Sequence, residues 1–243
     1  NLKKFSHIYP YKLIQKSELK TFKNIPSFQV MQKAAKKSFK YIVKNTKFKK
    51  ILIVCGPGNN GGDGMLIAKY LKENKKDVTV YAPIKLSKTK DSKKAFKAIS
   101  EYKLIKNKIK FNDYDLIIDC IFGVGFSRSI SKKLYSIIQT INKSKKFVIS
   151  VDMPSGVHID TGSISNIAIK ANVTLTFHRL KPGLLLMPGK EYAGKIEILD
   201  IGLVNIDKET NIHLIEPPKL KKSKISTHKY NRRTTYIIAG NEL

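Results

Sequence analysis

The chain has 243 residues, 42% of them hydrophobic, an ordinary share for a globular protein. That excludes a collagenous or wholly disordered chain, and a chain this long can bury roughly 70% of its unfolded surface. The formal charge is +29, but 43 of the 47 basic residues are Lys and only Arg128, Arg179, Arg232 and Arg233 are Arg. Surfaces built for nucleic acid favour the planar, bidentate guanidinium, so lysines spread this evenly read as compositional bias, and nucleic acid is not the expected partner.

No stretch approaches the roughly 20 apolar residues of a membrane-spanning helix, and no charged-then-apolar N-terminal signal is present. The first residue is Asn, so the sequence is expected to come from a longer chain. Cys55 and Cys120 each close an apolar run, where small buried hydrophobes belong rather than a disulfide framework. The expected compartment is therefore reducing and cytoplasmic.

In chain order, Phe28, Met31, Ala35, Phe39 and Ile42 recur at three- and four-residue spacing, predicting an amphipathic helix from Pro26 to Asn45. Ile51–Cys55 is a short apolar run bounded by glycines, which reads as a strand buried on both faces. Helical spacing over Asp63–Asn74, Asp91–Tyr102 and Ser131–Asn142 alternates with strands at Val78–Ala82, Leu116–Asp119 and Phe147–Val151. Val173–Phe177 and Lys195–Leu199 continue as strands. This alternation predicts an α/β fold, a Rossmann-like three-layer αβα sandwich with a mostly parallel sheet. Residues 1–215 form its domain. Pro217-Pro218 and the run Lys219–Lys224 make 216–230 a basic linker, and the apolar stretch Thr234–Gly240 makes 231–243 the truncated start of a second domain.

Three strand ends carry the chemistry. The first is Gly56-Pro57-Gly58-Asn59-Asn60-Gly61-Gly62-Asp63-Gly64, between a strand and a helix, where a dinucleotide fingerprint would lie. Two details speak against ordinary NAD binding. Asp63 puts a carboxylate where a pyrophosphate wants bare amides, and the second strand ends in Ala82-Pro83 rather than a ribose-binding acid. The second is Asp119-Cys120-Ile121-Phe122-Gly123-Val124-Gly125-Phe126-Ser127-Arg128, and the third Val151-Asp152-Met153-Pro154-Ser155-Gly156. Together they gather Asn59, Asn60, Asp63, Asp119, Asp152 and Ser155 at one edge of the sheet. These are hard oxygen ligands without a soft partner, suited to an alkali or alkaline-earth ion rather than zinc. The five histidines show no ligand spacing, and His178, the one nearest a motif, reads as an ordinary loop histidine.

Read in order, GPGNNGGDG, DCIFGVGFSR, VDMPSG and TFHRLKPGLL closely resemble the YjeF N-terminal domain family, the NAD(P)H-hydrate epimerases, from about Tyr9 to Gly202. The resemblance implies an isomerase that interconverts the R and S forms of hydrated NADH and NADPH. It implies potassium held at Asn60, Asp119 and Ser155. It also implies substrate contacts at Asn59, Asn60, Gly61, Gly62, Asp63, Gly123, Val124, Gly125, Phe126, Ser127, Arg128, Ser129 and Asp152, and a catalytic lysine at Lys181. A homodimer is implied, and His228-Lys229 with Ile237–Gly240 resemble the opening of a fused hydrate dehydratase, whose activity is expected to be absent from this sequence. The residues themselves suggest Asp152 as the acid–base group. The competing expectation is a non-enzymatic nucleotide- or RNA-binding or dimerisation module of the same fold; the joint presence of Asn60, Asp119, Asp152 and Ser155 argues for the enzyme.

Overall fold

The computed structural model describes residues 7–86, 88–125 and 129–215. The expected linker and second-domain start lie outside them. Among the described residues the strands are β1 (Lys50–Cys55), β2 (Asp77–Tyr81), β3 (Ile105–Lys106), β4 (Leu116–Cys120), β5 (Phe147–Val151), β6 (Val173–Phe177) and β7 (Lys195–Leu199). They form one sheet in the order β3-β2-β1-β4-β5-β6-β7, and every pairing is parallel.

The helices are α1 (Tyr11–Phe22), α2 (Ser27–Asn45), α3 (Asn59–Glu73), α4 (Lys90–Ile99), α5 (Lys132–Lys143) and the short α6 (Gly189–Ala193). Alternation along the strands divides the core between the two faces of the sheet. Ile51, Ile53 and Cys55 of β1 and Ile118 and Cys120 of β4 pack with α2, α3 and α4, through residues such as Ala34, Ile42, Met65 and Ile67. Leu52, Val54 and Ile117 face the other way, against Leu134, Ile137, Ile138 and Ile141 of α5. Burying each side chain of this size contributes about 1.5–3 kcal/mol, so the α5 stripe alone holds that layer firmly.

The short β3 and α6 are absent from the sequence reading, and two larger differences bear on the site. The first is α1, also absent from that reading. Its buried face is Ile14, Ser17 and Thr21, with a single strong hydrophobe, so the apolar period that reveals a helix is missing. Hydrogen bonds dock it instead. The Ser17 hydroxyl donates to the Val204 carbonyl at 2.6 Å and the Thr21 hydroxyl accepts the Val204 N–H at 2.8 Å. The second is α3, which begins at Asn59, four residues before its expected start at Asp63. Gly56 and Gly61 explain the shift. A Cβ on Gly61 would collide with the Gly56 carbonyl, and one on Gly56 with the Ile121 carbonyl. Glycine here lets the first turn of α3 sit directly against the ends of β1 and β4.

Strand order reverses between β1 and β4, where α/β sheets open a crevice outside the strand ends. The motif loops converge there.

Candidate active site

At this reversal lies a cavity of about 580 Å³, lined from α1 by Tyr11, Ile14 and Glu18 and from α3 by Asn59, Asn60 and Asp63. Gly123, Val124 and Gly125 after β4, Asp152 after β5 and Lys181 after β6 complete its polar wall, with Ile201 and Leu203 beside them. The first turn of α3 is thus turned toward the cavity. Helix N-termini present unpaired amides and a positive dipole end to anions.

Asp152 lies one residue beyond β5 with φ at +69°, a left-handed conformation that costs a non-glycine residue about 1–3 kcal/mol and tends to persist at functional sites. Its backbone N–H is tied to the Leu175 carbonyl at 2.7 Å. One carboxylate oxygen accepts from Lys181 Nζ at 3.1 Å, the other from the Val124 N–H at 3.0 Å. Lys181 is 1% exposed, and its ammonium also donates to Thr176 Oγ1 at 2.6 Å and the Phe177 carbonyl at 2.7 Å. All three ammonium protons are therefore committed. Burial lowers its pKa, with the Asp152 charge opposing that shift. The geometry makes Lys181 an anchor that orients Asp152.

Asp119 has no exposure at all. It accepts from Ser155 Oγ at 2.6 Å, the Ser155 N–H at 2.9 Å, Ser150 Oγ at 2.9 Å and the Ile121 N–H at 3.2 Å. Burial pushes its pKa up against these four bonds, which pull it down. Ser155 Oγ in turn accepts the Phe122 N–H at 2.9 Å and lies 3.3 Å from the Phe122 carbonyl. Asp119 and Ser155 thus brace the β4 and β5 loops from behind the cavity wall.

Asn60 stands beside Gly123 and Asp152: a Cβ on Gly123 would sit 2.8 Å from Asp152 Oδ2 and 3.4 Å from Asn60 Cγ. Both polar atoms of its amide are buried without a protein partner, an arrangement that proteins rarely leave unsatisfied. An amide oxygen, a serine hydroxyl, a carboxylate and a peptide carbonyl at the ends of neighbouring strands are in kind the donors of a hard, weakly charged cation. Because the four bonds to Asp119 fill its usual acceptor positions, the Ser155 hydroxyl would turn toward the Phe122 carbonyl to free an oxygen for such an ion.

Asp63 is 8% exposed, and its pKa is raised well above the ordinary carboxylate value, first by burial and then by the charges of Asp152 and Glu18. That upward shift weakens the sequence-based objection to a phosphate at this helix end. Gly61 and Gly62 lie inside α3, buried, and serve its close packing. Ser129 is exposed and does not line the cavity; Phe126, Ser127 and Arg128 lie outside the described residues. Cys55 and Cys120 are free thiols, buried in register beneath α3, as small hydrophobes would be.

His178 is not an ordinary loop residue. It is 1% exposed, with φ at +65°, and its Nε2 lies 3.3 Å from Ser17 Oγ. Since Ser17 already donates to Val204, the histidine must supply that proton, which fixes the Nε2–H tautomer and leaves Nδ1 bare. Burial, then Arg179 and Lys181, lower its pKa to about 4. It is a neutral strut between β6 and α1.

Glu18 is a site residue that the sequence did not disclose. It lies on the inner face of α1 beside Ile14, Ser17 and Thr21, and only recognition of that helix would have placed it in the cavity. Its pKa is raised to about 7, by burial first and then by the Asp152 charge, with Lys181 acting in the opposite direction.

An all-parallel sheet with its strand-order reversal facing a glycine-rich helix start and buried acids defines a Rossmann-like protein with a nucleotide-type crevice. Residues 27–183 match the family described as YjeF-related protein N-terminus, and the chain belongs to it. It is 37% identical over 163 residues to an NAD(P)H-hydrate epimerase of Oenococcus oeni, covering 66% of this chain and 78% of that protein. It is 36% identical over 207 residues to a bifunctional NAD(P)H-hydrate repair enzyme of Dictyoglomus turgidum, covering 79% of this chain but 40% of that protein. The chain therefore spans about two-fifths of that bifunctional relative's length. A yeast crystal structure at 20% identity covers 86% of this chain and 99% of its own with a TM-score of 0.67, which shows the same fold.

Proposed function

We propose that this chain is an isomerase that epimerises the R and S forms of hydrated NADH and NADPH, as the N-terminal part of a bifunctional nucleotide-repair enzyme. The observation that carries the reading is Asp152, strained, anchored by Lys181 and the Val124 N–H, and opening into the cavity beside the α3 N-terminus. The names of the relatives supply the substrate class. A homodimer and a cytoplasmic setting belong to the same reading.

The hydrated ring carbon bears both a hydroxyl and the ring nitrogen, so its C–O bond can break with help from the nitrogen lone pair. The α3 amides bind the phosphate end of the dinucleotide. Asp152 moves the proton of the hydroxyl on the hydrated carbon, and Lys181 holds its carboxylate at one angle. Potassium fits Asn60, Asp119 and Ser155, where it would supply positive charge that locks the loops. Chromatography of separated R and S hydrates, incubated with the protein with and without potassium, tests the reading: the protein should equilibrate them faster than the spontaneous reaction does. Equilibration at the spontaneous rate under both conditions would refute it.

A further inference from the structure

Epimerisation by loss and return of water asks for proton handling on both faces of the reacting ring: the hydroxyl leaves from one face and water returns to the other. Asp152 serves only one direction, since Lys181, the Val124 N–H and its own tethered backbone hold it in place. Lys181 has no free proton to give. Asp63 is rooted in α3, on the side that presents the helix amides. Glu18 approaches from a different element. It stands on the inner face of α1, lines the same cavity, and has neither hydrogen-bond nor ion-pair partner among the described residues. The charged groups around it are Asp152 from the β5 end, Lys181 from the β6 end and Asp63 from α3, with Lys88 and Asp91 lining the cavity farther along the chain.

Resting on the reading of the chain as a hydrate epimerase, we propose that Glu18 is a second acid–base group of the site, working from the α1 wall while Asp152 works from the end of β5. The protonated Glu18 carboxyl gives its proton to the departing hydroxyl. The C–O bond breaks with both electrons leaving on oxygen as water, and the nitrogen lone pair closes a C=N bond. A water molecule adds through an oxygen lone pair to the other face. The C=N electron pair returns to nitrogen, and the Asp152 carboxylate takes the surplus proton. The result is an inverted centre and one proton moved from Glu18 to Asp152, returned through solvent. The reverse reaction exchanges their roles. Burial and the neighbouring Asp152 charge favour a proton on Glu18 near neutral pH, which suits this task.

The test is Glu18→Gln, which keeps size and polarity and removes the exchangeable proton. Epimerisation in both directions should fall about 100-fold or more. The wild-type pH profile should have a limb near 7, and the variant should lose it while binding a hydrate mixture by calorimetry as the wild type does. Should the Gln variant not fold, Glu18→Met, an apolar stem of similar length, is judged by the same readouts. Activity within threefold of wild type with an unchanged pH profile would overturn the role of Glu18 and leave the epimerase reading standing. A wild-type protein that does not epimerise at all would overturn both.

Discussion

Strands β4 and β5 lie side by side, and each brings an aspartate to its C-terminal end. Asp119, still inside β4, is sealed from solvent and takes four hydrogen bonds from its own neighbourhood. Asp152, one residue beyond β5, has left the strand through a left-handed turn and takes two, one of them from a buried lysine. The difference lies in how much of the carboxylate is left over. Asp119 has its acceptor capacity spent on holding two loops in register, whereas Asp152 keeps lone pairs for the cavity and carries backbone strain to keep them there. Sequence position alone, an acid ending a buried strand, describes both.

The sharpest way to break this comparison is Asp152→Asn. Epimerisation should fall about 10²–10⁴-fold, with the fold kept at a somewhat lower melting temperature, because the amide oxygen can replace only one of the two acceptors that Lys181 and the Val124 N–H use. Near wild-type activity would show that the strained aspartate is structural. Lys181→Met should come next, lowering activity up to about 100-fold by releasing Asp152 from its angle. It should also cost stability, since Thr176 and the Phe177 carbonyl lose their donor. Asp119→Ala should show most strongly in stability. Stranding the buried donors of Ser150, Ser155 and Ile121 should cost about 3 kcal/mol, seen as a melting temperature lower by roughly 6–12 °C.

A third acid extends the series to pH. Asp207 is opposed by burial, but hydrogen bonds from Arg179, then Tyr9, outweigh this and hold its pKa well below the usual carboxylate range. A depressed pKa stabilises the fold above the unfolded value of about 3.9, and that contribution is lost as pH falls further. Thermal melts should therefore weaken below about pH 4, and less so in Asp207→Asn. The smallest expected effect is that of salt. If the +29 charge steers an anionic dinucleotide, kcat/KM should decline modestly with ionic strength, and a flat profile would leave the lysines without that role.

Much of the central architecture was legible because strands buried on both faces are plain apolar runs and helices α2 and α5 carry regular stripes. The strand-end acids were legible because short motifs sit at strand ends. What escaped notice was held by other forces. Helix α1 docks through the Ser17 and Thr21 hydroxyls and a histidine strut rather than through apolar periodicity. The early start of α3 runs against the poor helix propensity of Asn and Gly, and the fit of bare glycine backbone against two strand ends overrides it. Glu18 follows from α1 and was hidden with it. Asp63 was visible, but its charge state depends on neighbours that only the fold assembles.

The docking of α1 bears on where this domain can be cut. The family match covers 27–183, yet Glu18 and Ile14 stand before it and Ile201 and Leu203 after it, all on the cavity wall. The flanking segments are laced to each other: the Thr210 hydroxyl donates to the Ile8 carbonyl at 2.8 Å, the Ile8 N–H to the Ile212 carbonyl at 3.0 Å, and Tyr9 reaches Asp207 at 2.7 Å. A fragment trimmed to the recognisable motifs would keep the strands from β1 to β6 and the aspartates, but with one side of the crevice open to water. The portion of the chain that the family description spans is smaller than the portion that walls the crevice.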